Sequence, residues 1–243
     1  MLEQTIKFTE DPEIQKKPKK KRIAIISDTH ITATGTEFNA EVFSRGLHEL
    51  KKVRNVDVYL HLGDITQNGT LMDYEYAIDL LEDFSATLNA PLHYLIGNHD
   101  ARNVGYLIFE ELIGEGKRYF EFEDESMYIL GIDSTKPDLN GGVIHHKPID
   151  AVRKRLVQPS RSEKLKVVCF HHQLIPIPNT GRERSAIDDS GNMLEMLIEA
   201  GADLVLNGHR HISNLYSISS PQKDLYVFNA GTFSSNKTRY REL

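Results

Sequence analysis

At 243 residues, 40% hydrophobic and 26% charged, the chain is long enough for one substantial core and is read as a single domain. Its 29 basic and 35 acidic residues leave a formal charge of −6, which disfavours a general polyanion-binding surface and gives no strong nucleic-acid signal. The single cysteine, Cys169, excludes an internal disulfide, and no segment approaches the roughly 20 apolar residues of a membrane span.

The first segment, "MLEQTIKFTEDPEIQKKPKKKR", lacks the apolar stretch of a secretory signal, so a cytoplasmic location is expected. Its basic run, Lys16 to Arg22, is read as a solvated lead-in, with residues 1–21 flexible and the domain proper spanning 22–243. Apolar runs of strand length then recur at 22–27, 56–62, 91–96, 126–132, 165–170, 202–207 and 224–229. Several are apolar on both faces, as buried strands are. Between the first two, Phe38, Val42, Phe43, Leu47, Leu50 and Val53 recur at helical spacing. A second helix is expected over Met72 to Leu88, a short one from about Ile149 to Leu156, and another from about Gly191 to Ala200. "RYFEFEDESMYILGID" reads as a hairpin turning at Glu123 to Ser126. Strands alternating with helices predict an α/β layered fold. The loops at 134–142 and 174–191 are the expected substrate borders, because long ordered loops in a compact domain are usually functional.

Chemistry gathers just past the strands. Asp28 and His30 follow the first strand in "SDTH", Asp64 the second in "HLGDI", and "GNHD", Gly97 to Asp100, the third. His171 and His172 follow the run at 165–170, and His209 and His211 the run at 202–207. Asp28 and His30, two residues apart, would project to one side of an extended chain. Any one of these pairs alone is an ordinary polar turn. All five share one topological place, and ligands in open α/β sheets collect beyond the carboxyl ends of the strands. Spacing leaves open how the two histidines of "GHRH" divide between ions.

The ordered series Asp-x-His, Gly-Asp, Gly-Asn-His-Asp, His and Gly-His-x-His resembles the calcineurin-like metallophosphoesterases, in particular the cyclic-nucleotide and glycerophosphodiester phosphodiesterase branch, over about Arg22 to Gly231. The resemblance implies a four-layer αββα sandwich of two mixed β-sheets flanked by helices, with a dinuclear metal site at the carboxyl strand ends. It implies one ion held by Asp28, His30 and His211, another by Asn98, His171 and His209, and Asp64 between them. It makes His99 the proton donor, with Asp100 orienting the imidazole and keeping it charged, and leaves His172 to pack nearby. Gln173 stands where such proteins usually carry proline, and the chain stops at Leu243 where they usually continue into another strand; a truncated piece and a homodimer both stay open.

Physics agrees with that assignment. Two carboxylates against two divalent ions leave a surplus of roughly +2, which attracts a phosphate diester even on an acidic protein. Mixed nitrogen and oxygen donors suit two divalent or mixed-valence ions of Mn, Fe, Zn or Co better than Mg or Ca. Such paired ions polarise a phosphoryl oxygen and activate a water for in-line attack. The expected function is hydrolysis of small phosphodiesters, cyclic nucleotides among them; a nuclease or nucleotide pyrophosphatase of the same fold is the alternative, and a noncatalytic scaffold a remoter one. Arg102 could pair with phosphate, and His145 and His146 are reserve candidates for substrate contact, while His48, His61 and His93 receive structural roles.

Overall fold

The computed structural model describes residues 20–178, 180, 185–221 and 223–235. Most of the N-terminal lead-in and part of the 174–191 loop therefore lie outside the described residues. Nine strands and five helices alternate along them. β1 (Ile23–Ile26), β2 (Val58–His61) and β3 (Leu92–Tyr94) form one sheet in that order. β4 (Phe120–Glu123), β5 (Met127–Gly131), β6 (Leu165–Cys169), β7 (Leu204–Asn207), β9 (Leu225–Asn229) and β8 (Asn214–Ile218) form the second, in that spatial order. The larger sheet is mixed, since β4 and β8 run antiparallel to their neighbours. The smaller one is parallel throughout, which corrects the expectation of two mixed sheets. Each of its strands is followed by a helix, and such crossovers are what parallel neighbours need.

The sheets face each other across a shared core. Leu60, Leu62 and Leu95 from the first meet Ile129, Val167, Cys169 and Leu206 from the second. Burying one such side chain fully contributes about 1.5–3 kcal/mol. Cys169 is one of these small buried hydrophobes, and burial pushes its thiol up. On the outer face of the second sheet, α4 (His146–Leu156) and α5 (Ser190–Glu199) pack Ile149, Val152, Met193 and Leu197 against Leu130, Val168 and Val205. α1 (Ala40–Leu50), α2 (Leu71–Ser85) and α3 (Gly105–Leu112) bury Phe43, Tyr74, Leu81 and Phe109 on the side of the first sheet. The layers are thus helix, sheet, sheet, helix. Side-chain oxygens start the first two helices: Asn39 accepts from the Val42 N–H and Thr70 from the Asp73 N–H.

Some expectations shift. α4 begins three residues before Ile149, so His145 is its cap and His146 its first residue rather than part of a loop. α3 and β8 carry no pattern strong enough to be found from sequence. Lys21 is tied down by Asp57 and Asp124, one on each sheet's side, so the end of the basic run is anchored rather than solvated. His48 lies in α1, His61 in β2 and His93 in β3, where its ring stacks 4.9 Å from Phe120. Among the described residues, no helix is long and apolar enough to cross a membrane.

Candidate metal centre

Carboxyl ends of β1, β2 and β3 meet those of β6 and β7 at one edge of the sandwich, and all five motifs converge there. Backbone hydrogen bonds continue past the strands and hold the loops in register. The Asp28 N–H donates to the Gly63 carbonyl (3.0 Å), the His30 N–H to the Asp64 carbonyl (3.0 Å) and the Gly208 N–H to the His171 carbonyl (2.9 Å). Close approach needs glycine. A Cβ on Gly97 would sit 2.2 Å from both the nitrogen and Oδ1 of Asp64, and one on Gly208 would sit 2.3 Å from Ser27 Oγ.

Asp28, His30, Asp64, His209 and His211 all adopt positive φ, between 49° and 75°. This corrects the extended reading of Asp28 and His30: the left-handed turn, not the pleat, aims both side chains inward. Such conformations are costly for non-glycine residues, and their concentration at one place marks a site held by its surroundings.

The donor atoms form two groups. Asp28 Oδ1 lies 3.4 Å from His211 Nε2 and 4.0 Å from His30 Nε2, and those two nitrogens are 3.0 Å apart. Asn98 Oδ1 lies 3.1 Å from His171 Nε2 and 2.9 Å from His209 Nδ1. Asp64 Oδ2 stands between the groups, 3.2 Å from His171 Nε2 and 3.7 Å from His30 Nε2. Asp28, His30 and His211, separately Asp64, His171 and His209, and also His30, Asp64 and His99, are disposed so that they could hold a metal ion.

Two imidazoles have their outward nitrogens committed. His171 Nδ1–H donates to the Leu62 carbonyl and His30 Nδ1–H to Gln67 Oε1, each at 2.8 Å. Their Nε2 atoms are therefore turned inward: that of His171 faces Asp64 and Asn98 oxygens, which only accept, and that of His30 faces His211 Nε2 at 3.0 Å. Acceptors facing acceptors at this range need a cation between them, and the donor set fits divalent metal.

Titration behaviour says the same. Burial acts to lower the His171 pKa, but the Asp64 and Asp28 charges outweigh it and push it up to about 9. In the metal-free protein, then, a proton occupies the place of a cation. Burial acts to raise the Asp64 carboxyl, yet His171 and His99 hold it well below the usual carboxylate range. A raised folded-state pKa stabilises the protein fully below the ordinary histidine value of about 6.5 and ceases to do so as pH rises through 9. The melting temperature of metal-free protein should accordingly fall between pH 7 and 9. Metal loading at pH 7.5 should release roughly one proton per chain. Calorimetry in buffers of different ionisation enthalpy counts it, and no proton release would refute the assignment.

His99 and Asp100 diverge. His99 Nδ1–H donates to the Gln67 carbonyl at 2.8 Å, and its ring meets the His30 ring edge-on with centroids 4.5 Å apart. The expectation that Asp100 orients this imidazole is corrected. Its carboxylate is fully buried and turned away, accepting from the backbone N–H groups of Ile65 (3.1 Å), Thr66 (2.7 Å) and Gly97 (2.8 Å) and from Thr66 Oγ1 (3.0 Å). Burial and the Asp64 charge push it up to about 7 against those donors. Asp100 staples the loop after β2 to the loop after β3. Gln67, which lies in the run "LGDITQNG" that continues the Gly-Asp motif but receives no role from sequence, does the orienting for His99 with its carbonyl and for His30 with its side chain.

His172 is buried with Nδ1 2.9 Å from Ser134 Oγ, a neighbour of the site rather than a member of either donor group. His145 and His146 lie outside both groups, at the start of α4. From the 134–142 loop, Asn140 reaches in: its Oδ1 accepts from Asn98 Nδ2 (3.3 Å) and Arg102 Nη2 (3.1 Å).

The profile of calcineurin-like phosphoesterases matches residues 21–213, from the end of the lead-in past the last histidine. The chain belongs to this family. Among curated relatives it is 23% identical to a probable cyclic nucleotide phosphodiesterase of Rhodococcus erythropolis, over 77% of this chain and 64% of the relative. It is 28% identical to a 3′,5′-cyclic adenosine monophosphate phosphodiesterase of Pseudomonas aeruginosa, over 63% of this chain and 55% of the relative. The chain thus spans less than two thirds of either relative's length. A purple acid phosphatase from yellow lupin seeds superposes with a TM-score of 0.63 at 13% identity, covering 92% of this chain and 46% of that one, and so shares the fold.

Proposed function

We propose that the protein is a dinuclear metal-dependent phosphoesterase that hydrolyses small phosphodiesters, cyclic nucleotides among them. What carries the reading is the convergence of two groups of inward-turned donors on one shared carboxylate, Asp64. In it, Asp28, His30 and His211 hold one ion, Asn98, His171 and His209 the other, and Asp64 serves both. The ions would supply a Lewis acid for a phosphoryl oxygen and an activated water.

The remaining work falls to the chain itself. Asn98 contributes an oxygen without charge, so the loaded site keeps the positive surplus that draws an anionic diester. His99, adjacent to the donor groups and outside both, gives a proton to the leaving alkoxide. Gln67 takes the Nδ1–H of His99, so that Nε2, which meets Arg102, is the nitrogen left for that role. The names of the curated relatives support a diester as substrate. The formal net charge of −6 supports a small diester over a long nucleic acid.

The test couples metal analysis to turnover of a bis-aryl phosphate, an aryl monophosphate, 2′,3′- and 3′,5′-cyclic nucleotides and a single-stranded oligonucleotide. Two ions per chain and preferential diester hydrolysis with Mn are expected. Fewer than two ions at saturation, or no diester turnover, would sink the proposal, and preference for the oligonucleotide would replace it with a nuclease.

A further inference from the structure

Arg102 belongs to neither donor group, yet its guanidinium is turned toward the metal centre. Nη2 lies 3.1 Å from His99 Nε2 and 3.1 Å from Asn140 Oδ1, and Nη1 lies 3.3 Å from the Gln67 carbonyl. A guanidinium only donates, so His99 Nε2 is the acceptor in that contact. All three of these partners are uncharged. Asn140 Oδ1, which fixes the arm, also takes the Asn98 Nδ2–H, so the guanidinium is registered to a residue of the donor set. A cation with neutral partners, held one side chain away from a phosphoester centre, is an anion site awaiting its anion.

We propose that Arg102 is the protein's own phosphate-binding side chain, donating to a non-bridging oxygen of the substrate, with Asn140 as its positioning residue. The proposal rests on the phosphoesterase reading and deepens it. A phosphate oxygen is a stronger acceptor for a guanidinium than a neutral imidazole, because the hydrogen bond is then charged on both sides. Substrate therefore takes Arg102 from His99. The exchange leaves Nε2 without its guanidinium partner and open to the substrate. Because the forked donor matches phosphate geometry, a lysine at this place supplies charge without the pair of aligned donors.

Arg102→Gln, Arg102→Lys and Asn140→Ala, each checked for full metal loading, are compared with the unmodified protein. The first readout is titration calorimetry with inorganic phosphate on the metal-loaded protein, which needs no turnover. The second is kcat and KM on a bis-aryl phosphate. Arg102→Gln should weaken phosphate binding by about 10–100-fold and raise KM more than it lowers kcat. Arg102→Lys should recover part of the loss, and Asn140→Ala should lose less, in the same direction. Phosphate binding unchanged in Arg102→Gln overturns the assignment even where diester turnover is intact. Equal losses in kcat alone for the Gln and Lys variants would reduce Arg102 to a packing role and overturn it as well. Absence of turnover in the unmodified protein removes the phosphoesterase reading, while the calorimetry still decides whether Arg102 binds phosphate.

Discussion

Replacing Asp64 by alanine is expected to leave at most one metal ion per chain and to lower diester turnover at least about a thousandfold. The magnitude follows from position. Asp64 Oδ2 lies near both donor groups, 3.2 Å from His171 Nε2 and 3.7 Å from His30 Nε2. Its loss removes a shared negative charge from two sites at once and leaves cations facing cations across the gap. Lewis-acid activation is worth several kcal/mol, and about 4 kcal/mol is already a thousandfold. The other oxygen matters too: Oδ1 accepts the His99 N–H at 2.8 Å, so the carboxylate also pins the chain that carries the proposed proton donor. Asp64→Asn separates the two effects, because it keeps an acceptor for that N–H and loses the charge. The asparagine variant should fold but lose the pH-dependent stability that the raised His171 imidazole gives the metal-free protein, bind metal poorly, and lose the proton release that His171 gives on loading, since the charge that raises that imidazole is gone. Metal analysis, thermal melts and turnover read these separately. Two ions per chain in Asp64→Ala with more than a tenth of the activity would refute the shared-ligand role.

Much of this arrangement is legible in sequence because the fold exports its polar chemistry to one edge. Strands buried on both faces leave apolar runs such as "RIAIIS" and "LKVVCF", and the residues just after each run must lie at the sheet's carboxyl end. The places of Asp28, Asp64, Asn98, His171 and His209 come from that rule alone. Orientation does not. The left-handed turns at His30 and His211 are invisible, since positive φ is uncommon for histidine and the surrounding hydrogen bonds, not the residue type, impose it. Asp100 misleads for a related reason. It sits beside His99 in the chain, but its acceptor capacity is consumed by backbone N–H groups of Ile65 and Thr66, some 35 residues away, which no motif encodes. Gln67 is missed for the converse reason, because half of its function is carried by a carbonyl that any residue would own. β8 escapes because it is an edge strand carrying Asn214 and Ser217, with Leu215 on an exposed face.

His99→Ala is expected to separate substrates by their leaving groups. With alkyl diesters, whose alkoxide must be protonated as it leaves, the loss should reach about 10²–10⁴, the usual worth of a positioned acid. With bis-aryl phosphates, which release a stable aryl oxide, it should be small. The pH profile adds a sign. Burial, aided by the Arg102 charge and opposed by Asp64, holds His99 below its ordinary value of 6.5. The donor form is therefore the minor one in the free protein at neutral pH, and kcat/KM on an alkyl diester should fall as pH rises through that lowered pKa. Removing the neighbouring cation by Arg102→Gln should move this limb to higher pH, while His99→Ala should abolish it, and aryl diesters should lack it from the start. A phosphate that draws Arg102 away would raise the same imidazole at the moment its proton is needed, which gives the His99–Arg102 contact a use beyond structure. Equal losses on alkyl and aryl diesters in His99→Ala, or a limb unmoved by Arg102→Gln, would take the proton-donor role from His99.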